Sequence, residues 1–263
     1  ALTKILRSQG SMNGMLTCAE HFNIAQVLEE LKTHKPANSV AQVTRPQAEV
    51  FPAQGEERCR VALLDYGVTK GVIQCLTRRG CAVTALPAST SAQEVLSGGF
   101  DGVFLSDGPG DPADNAGLAA QVKELYAASL PLYAMGLGHQ LLAIASGART
   151  ERLPYGHRGG NVPVRDLELG RVFITSQNHG YAVIRDSVDP AAARVSYENV
   201  NDNSCEGLNY TRPNCFSTQF HPEANTGPKA VEDVLDRLVE QMTGIPSPSK
   251  GGAPATKTLG GDR

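Results

Sequence analysis

Apolar and polar positions along this chain change period repeatedly, and the changes mark out its elements. Leu2, Ile5 and Leu6 share a helical face before breaks at Gly10 and Asn13-Gly14. Ile24, Val27, Leu28 and Leu31 then recur at the spacing of a second helix. From about Thr33 to Glu57 the chain is polar, aperiodic and broken by Pro36, Pro46 and Pro52, which predicts a linker. Beyond it, continuous apolar runs alternate with helical stripes. Arg60–Tyr66 predicts a buried strand, followed by a helix carrying Val68, Val72, Cys75 and Leu76. Cys81–Leu86 is a second strand, and Ser91 with Glu94 forms a capping box that opens a short helix. Asp101–Ser106 is a third strand, before a helix striped by Leu118, Val122 and Leu125. Pro131–Met135 is a fourth, running through a glycine turn into a helix with Leu141, Leu142 and Ile144. Arg171–Val183 reads as a hairpin turning at Ser176–Gly180, and Cys215–Phe220 as an alternating strand. A last helix is expected over about Lys229–Met242, with Val231, Val234, Leu235 and Leu238 facing inward.

Strands alternating with helices at this spacing predict an α/β fold, a mostly parallel sheet flanked by helices, with function at the carboxyl ends of the strands. The expected division is a small N-terminal piece over 1–45, a linker over 46–58, the α/β domain over 59–243, and a disordered Gly/Pro/Ser/Lys-rich tail over 244–263. Two short helices cannot bury a core alone.

Composition narrows the picture only a little. The 263 residues are 41% hydrophobic and 19% charged, ordinary for a globular protein. A net charge of −3 gives no reason to expect a nucleic-acid or membrane surface. No apolar run approaches the roughly 18 residues a spanning helix needs. The six cysteines show no CxxC pairing and no secreted framework, so they are expected reduced and buried in a cytoplasmic protein.

The chemistry gathers at four places. Pro131–Leu142 has the strand, tight turn and helix grammar of a nucleophile elbow. Such a turn lifts one side chain above the sheet edge, while the helix N-terminus supplies free N–H groups and positive dipole to an anion. The central residue here is Gly136, which has no side chain. Ser106–Pro112 follows the third strand, with Gly108 and Gly110 able to bring backbone N–H groups against a ligand. A lone Gly-Pro-Gly would be a plain turn; its place at a strand end ahead of the elbow argues for more. Leu153–Val164 is polar and glycine-rich, and His157 and Arg158 read there as loop residues packing against the site. His221 ends a strand with Glu223 two residues on, the arrangement of an imidazole base oriented by an acid. Alone, His-Pro-Glu is a weak pattern. No metal site is expected.

Taken together these motifs resemble the class I glutamine amidotransferases, whose elbow reads Gly-x-Cys-x-Gly-His-Gln. Ala134 and Gly136 depart from that form, and Gly138, His139 and Gln140 match it. The Gly156-His157-Arg158-Gly159 stretch and Ser176–Tyr181 narrow the resemblance to the small, glutamine-using subunits of carbamoyl phosphate synthases. The resemblance implies a flavodoxin-like fold and His221 and Glu223 as the surviving catalytic pair. It implies an oxyanion loop at Gly108 and Gly110, and a glutamine pocket that includes Leu137, Gln140, Asn178, Gly180 and Tyr181. Asp107 stands where the family has asparagine, a change expected to matter little because the backbone carries the role. L-glutamine would be the substrate, and the partner would be the large subunit. That subunit would hold the ATP and Mg2+ needed to make carbamoyl phosphate for arginine or pyrimidine synthesis, with no cofactor in this chain.

The same resemblance makes residues 1–45 the end of an N-terminal domain that contributes one glutamine contact from a part absent here. With Gly136 unable to form a thioester, three readings remain open. The chain is an amidotransferase with impaired glutaminase activity, a non-catalytic glutamine-sensing or structural partner of an ammonia-using large subunit, or an ordinary enzyme with a misread cysteine codon. Cys215 precedes His221, but no cysteine sits where a helix N-terminus would activate it.

Overall fold

The computed structural model describes residues 2–35, 38–224 and 233–246. Within these, eight α-helices and one ten-stranded sheet form three layers. Helices α1 (Leu2–Gln9), α2 (Ile24–Thr33) and α3 (Ser39–Val43) lead to strand β1 (Glu49–Phe51). The α/β alternation follows as β2 (Cys59–Asp65), α4 (Lys70–Thr77), β3 (Cys81–Pro87), α5 (Ala92–Ser97), β4 (Gly102–Leu105), α6 (Ala116–Ala127), β5 (Leu132–Met135) and α7 (Leu137–Ala145). The remainder is β6 (Thr150–Asp166), β7 (Arg171–Val183), β8 (Ala193–Asn199), β9 (Cys205–Tyr210), β10 (Cys215–Thr218) and α8 (Asp233–Thr243). Lys229–Glu232, including Val231, and the tail from Ser247 lie outside the described residues.

The parallel block runs β3-β2-β4-β5-β10, the 2-1-3-4-5 order of doubly wound flavodoxin-like sheets. Its strands are buried on both faces, which is why they read as unbroken apolar runs. Alternation divides them between two cores. Ala62 and Leu64 face Val95, Val122 and Leu141 of α5, α6 and α7. Val61 and Leu63 face Val72, Leu76 and Leu238 of α4 and α8. The Ser91–Glu94 capping box is present, with Ser91 Oγ accepting from the Glu94 N–H at 3.2 Å and Glu94 Oε2 accepting from the Ser91 N–H at 2.8 Å.

Four expectations change. The stretch read as a linker contributes β1, paired antiparallel to β3 at the sheet edge. Arg45 ties it down by donating from Nε to the buried Asp65 carboxylate at 2.9 Å. Arg171–Val183 is one long strand and not a hairpin. It pairs with β6, which absorbs the glycine-rich stretch read as a loop, and the reversal falls at Leu167–Gly170. There the Asp166 carboxylate accepts from the N–H groups of Glu168 and Leu169, and Gly170 adopts φ +64°. Strands β8 and β9 complete an antiparallel half-sheet that no sequence period announced. Cys18 is exposed, whereas the other five cysteines are buried.

Helices α1 and α2 bury no residue. The N-terminal segment is held by polar links instead. The Ser11 N–H donates to Pro154 O at 2.9 Å, Tyr155 OH donates to Arg7 O at 2.9 Å, and Lys35 pairs with Asp114 at 2.8 Å.

Leu63 is fully buried and Leu16 fully exposed, which sets up a direct comparison. Leu63→Ala should cost about 2–5 kcal/mol, and Leu16→Ala less than about 0.5 kcal/mol. Both would be read as midpoint shifts at constant slope in urea denaturation.

Candidate functional site

The elbow forms as its sequence demands. Strand β5 lies between β4 and β10, and α7 begins at its end, so the chain must reverse within one residue. Gly136 makes the turn at φ +56° and ψ −117°, a conformation that strains any residue with a Cβ. Neighbouring strands clamp it: the Gly136 N–H donates to Thr218 O at 3.0 Å, and the Gly138 N–H donates to Ser106 O at 3.1 Å.

Asp107 projects into the space that a side chain at 136 would fill. A Cβ built on Gly136 would lie 2.0 Å from Asp107 Oδ1 and 2.2 Å from its Cγ. That same Oδ1 accepts the Leu137 N–H, the first free donor of α7, at 2.8 Å. The other oxygen, Oδ2, lies 3.0 Å from His221 Nε2. On its far side, His221 Nδ1 lies 3.0 Å from Glu223 Oε1, which also accepts from Thr69 Oγ1 at 3.1 Å. From sequence, Asp107 reads as a minor departure because the backbone carries the loop's role. The structure corrects this: its carboxylate occupies the anion position of the elbow.

Both His221 nitrogens face carboxylate oxygens, so both must donate and the ring is an imidazolium. Burial opposes that charge, but Asp107 and then Glu223 outweigh it and raise the His221 pKa to about 10. An imidazolium held this way has no lone pair with which to accept a proton from a nucleophile at neutral pH. No cysteine compensates: burial pushes the Cys205 and Cys215 thiols up to about 12, and neither lies at the elbow.

Beside this closed triad opens a cavity of about 620 Å³. Gly108, Gly110, Leu137, Gln140, Asn178, Gly180 and Tyr181 all line it, so the topology brings together every residue that the motifs assign to the pocket. Gly136, His221 and Glu223 are not part of its wall; Asp107 is, and it touches the elbow and the histidine. Gln140 also acts as a brace, donating to Tyr181 O and to Gln219 Oε1, each at 2.8 Å. Residues that the motifs do not assign to the pocket complete the wall, among them Ser11, Asn13, Lys35, Asp111, Arg152 and Arg158. Asp111 and Arg158 lie within the motif stretches, but Ser11, Asn13 and Lys35 arrive only by folding of the N-terminal segment. The lining carries both cations and carboxylates, a mixture that suits a zwitterionic amino acid.

The model of the family "Glutamine amidotransferase class-I" matches residues 62–240. The chain belongs to the class-I glutamine amidotransferase family. Among curated proteins it is similar to the carbamoyl phosphate synthase small chain of Listeria monocytogenes, 41% identical over 92% of this chain and 66% of that one. It is likewise similar to the carbamoyl phosphate synthase pyrimidine-specific small chains of Halalkalibacterium halodurans (41%) and Bacillus subtilis (38%), again over 92% of this chain. The chain spans about two thirds of the length of these relatives, 66% and 65% respectively. Two solved structures share the fold at 16% identity over 72% of this chain. One, from Thermoplasma acidophilum, is described as a GMP synthase component and gives a TM-score of 0.63 over 96% of its length. The other, a glutamine amidotransferase from Thermotoga maritima, gives 0.51 over 95%.

The imidazolium gives a pH signature. With a folded pKa near 10 against an ordinary 6.5, its stabilisation is complete below about pH 6.5 and is lost as pH rises through 10. Between those limits stability should fall by up to about 1.4 kcal/mol per pH unit. Asp107→Asn removes one carboxylate, so the His221 titration followed by NMR should move down and the slope in denaturation midpoints should flatten.

Proposed function

We propose that this chain is the glutamine-amidotransferase subunit of a carbamoyl phosphate synthase whose glutaminase step is switched off, leaving a glutamine-binding partner for a large subunit that uses ammonia. The observation that carries this reading is the Asp107 carboxylate, bonded to the Leu137 N–H and to His221 in the space beside Gly136. In an intact family member a thiolate there would attack the glutamine side-chain amide. The histidine would then protonate the departing ammonia and activate water against the thioester. Here the anion is built in, its proton partner is already charged, and no atom is poised to form the acyl intermediate.

Two substitutions, Gly for Cys and Asp for Asn, complement each other in space, which favours this reading over a single misread codon. The relatives' names support partnership with the large subunit, which would hold ATP and Mg2+, and a role in pyrimidine or arginine synthesis in the cytoplasm. Among the described residues no helix is long and apolar enough to cross a membrane. A cavity whose family-matched residues remain assembled supports retained binding of L-glutamine.

Ammonia release from glutamine, measured with the large subunit present, tests this. The natural chain should turn over roughly 10⁶-fold more slowly than an intact enzyme. Gly136→Cys alone should restore little, because the Asp107 carboxylate would still lie against the new thiol, disfavouring its thiolate, and would still hold His221 protonated. The double variant Gly136→Cys/Asp107→Asn should restore turnover. Comparable turnover by the natural chain would overturn the reading, as would full rescue by Gly136→Cys alone.

A further inference from the structure

In the wall of the cavity itself, whose lining includes His179, β6, β7 and β9 bring two histidines and a buried carboxylate together. His157 Nδ1 lies 3.1 Å from His179 Nε2 and 3.2 Å from Glu206 Oε1, and the three ligand atoms all fall within 4.8 Å of one another. Four ligand atoms arranged tetrahedrally on a metal, with bonds of ~2.0–2.1 Å, stand about 3.3 Å apart. Glu206 is fully buried, and its second oxygen, Oε2, has no partner.

Donor and acceptor accounting points the same way. Thr175 Oγ1 donates to Val162 O at 2.9 Å, so it must accept from Gln177 Nε2, 3.0 Å away. That orientation turns Gln177 Oε1 toward His179 Nε2 at 2.9 Å. His179 Nδ1 lies 2.7 Å from Tyr181 O, a pure acceptor that takes the single N–H of a neutral imidazole. With a neutral ring, the His179 Nε2 lone pair meets a carbonyl lone pair, so this position calls for a cation, either a metal ion or a second ring proton. Glu206 Oε1 accepts from Asn199 Nδ2 at 3.1 Å and from Ser204 Oγ at 3.5 Å, which leaves Oε2 without a donor.

Each histidine is also oriented by a second group on its far nitrogen. His157 Nε2 lies 2.8 Å from the Asp202 carboxylate, and His179 Nδ1 lies against the Tyr181 carbonyl. Metal-binding histidines are regularly held this way, with carboxylate or carbonyl partners fixing ring and tautomer.

We propose that His157 Nδ1, His179 Nε2 and the Glu206 carboxylate, with Gln177 Oε1 beside them, form a binding site for a divalent transition-metal ion of the zinc class. Two imidazoles and a carboxylate suit Zn2+ or Co2+ better than the oxygen-only sets that hold Mg2+ or Ca2+. A cation at this point satisfies the opposed lone pairs and the buried carboxylate together. It also pins the Gln177–Tyr181 segment, which carries Asn178, Gly180 and Tyr181 into the cavity wall, to β6 and β9. The site is independent of the glutaminase reading and stands or falls separately.

The competing arrangement is purely protonic, with His157 as an imidazolium between Glu206 and Asp202. Titration of untagged, chelator-treated full-length chain with Co2+ separates the two, followed by visible absorption and by the rise in melting temperature. One equivalent giving an intense tetrahedral-type d–d band is expected. Asp202→Asn, a change at a half-exposed carboxylate that should leave the fold intact, should weaken binding about 10–100-fold. His157→Ala and Glu206→Gln should abolish the band. Failure to bind stoichiometrically would overturn the proposal, as would a band that survives His157→Ala or disappears on Cys18→Ser.

Discussion

The turn at Gly136 is the constraint on which the rest of the site depends. A strand flanked on both sides by parallel neighbours has to hand over to a helix without leaving the sheet edge, and only a left-handed residue allows it. Hydrogen bonds from Gly136 and Gly138 to the strands on either side fix that residue in all directions. The Leu137 N–H is thereby aimed, unpaired within its helix, at one point above the sheet. Something negative belongs at that point, because a helix N-terminus and an imidazole converge there. In this chain the negative group comes from the neighbouring strand end and not from the turn itself.

Placing an acid there changes the character of the histidine beside it. Flanked by Asp107 and Glu223, His221 is held as a cation at neutral pH in a three-membered ion chain that ties β4, β10 and the elbow together. Such a chain is a structural fastener. The cavity beside it keeps its wall because that wall hangs on different contacts, Gln140 to Tyr181 and Gln219 chief among them.

The parallel half of the fold was legible because its strands are buried on both faces and its helices on one, so each carries its own period. The antiparallel half was not. Strand β6 is half-exposed and interrupted by register shifts at Arg152/His157 and Gly159/Val162, so its glycines and polar residues read as loop. Strands β8 and β9 bury Ser196, Glu198, Asn199, Glu206 and Asn209, polar residues that erase any apolar alternation. The pocket residues could be named from short motifs because each motif is contiguous in the chain, two of them following strand ends and the third lying within β7. The role of Asp107 could not, since it depends on an empty volume beside a glycine far along the chain. Nor does any spacing connect His157, His179 and Glu206, which only three-strand pairing brings together.

The fit between Gly136 and Asp107 also couples two positions that lie far apart in the chain. A thiol placed at 136 would face the Asp107 carboxylate, and an amide placed at 107 beside Gly136 would face no side chain at all. On the reading proposed above, an uncharged neighbour and a thiol are of use only together, so two changes and not one separate this site from an elbow that carries a nucleophile.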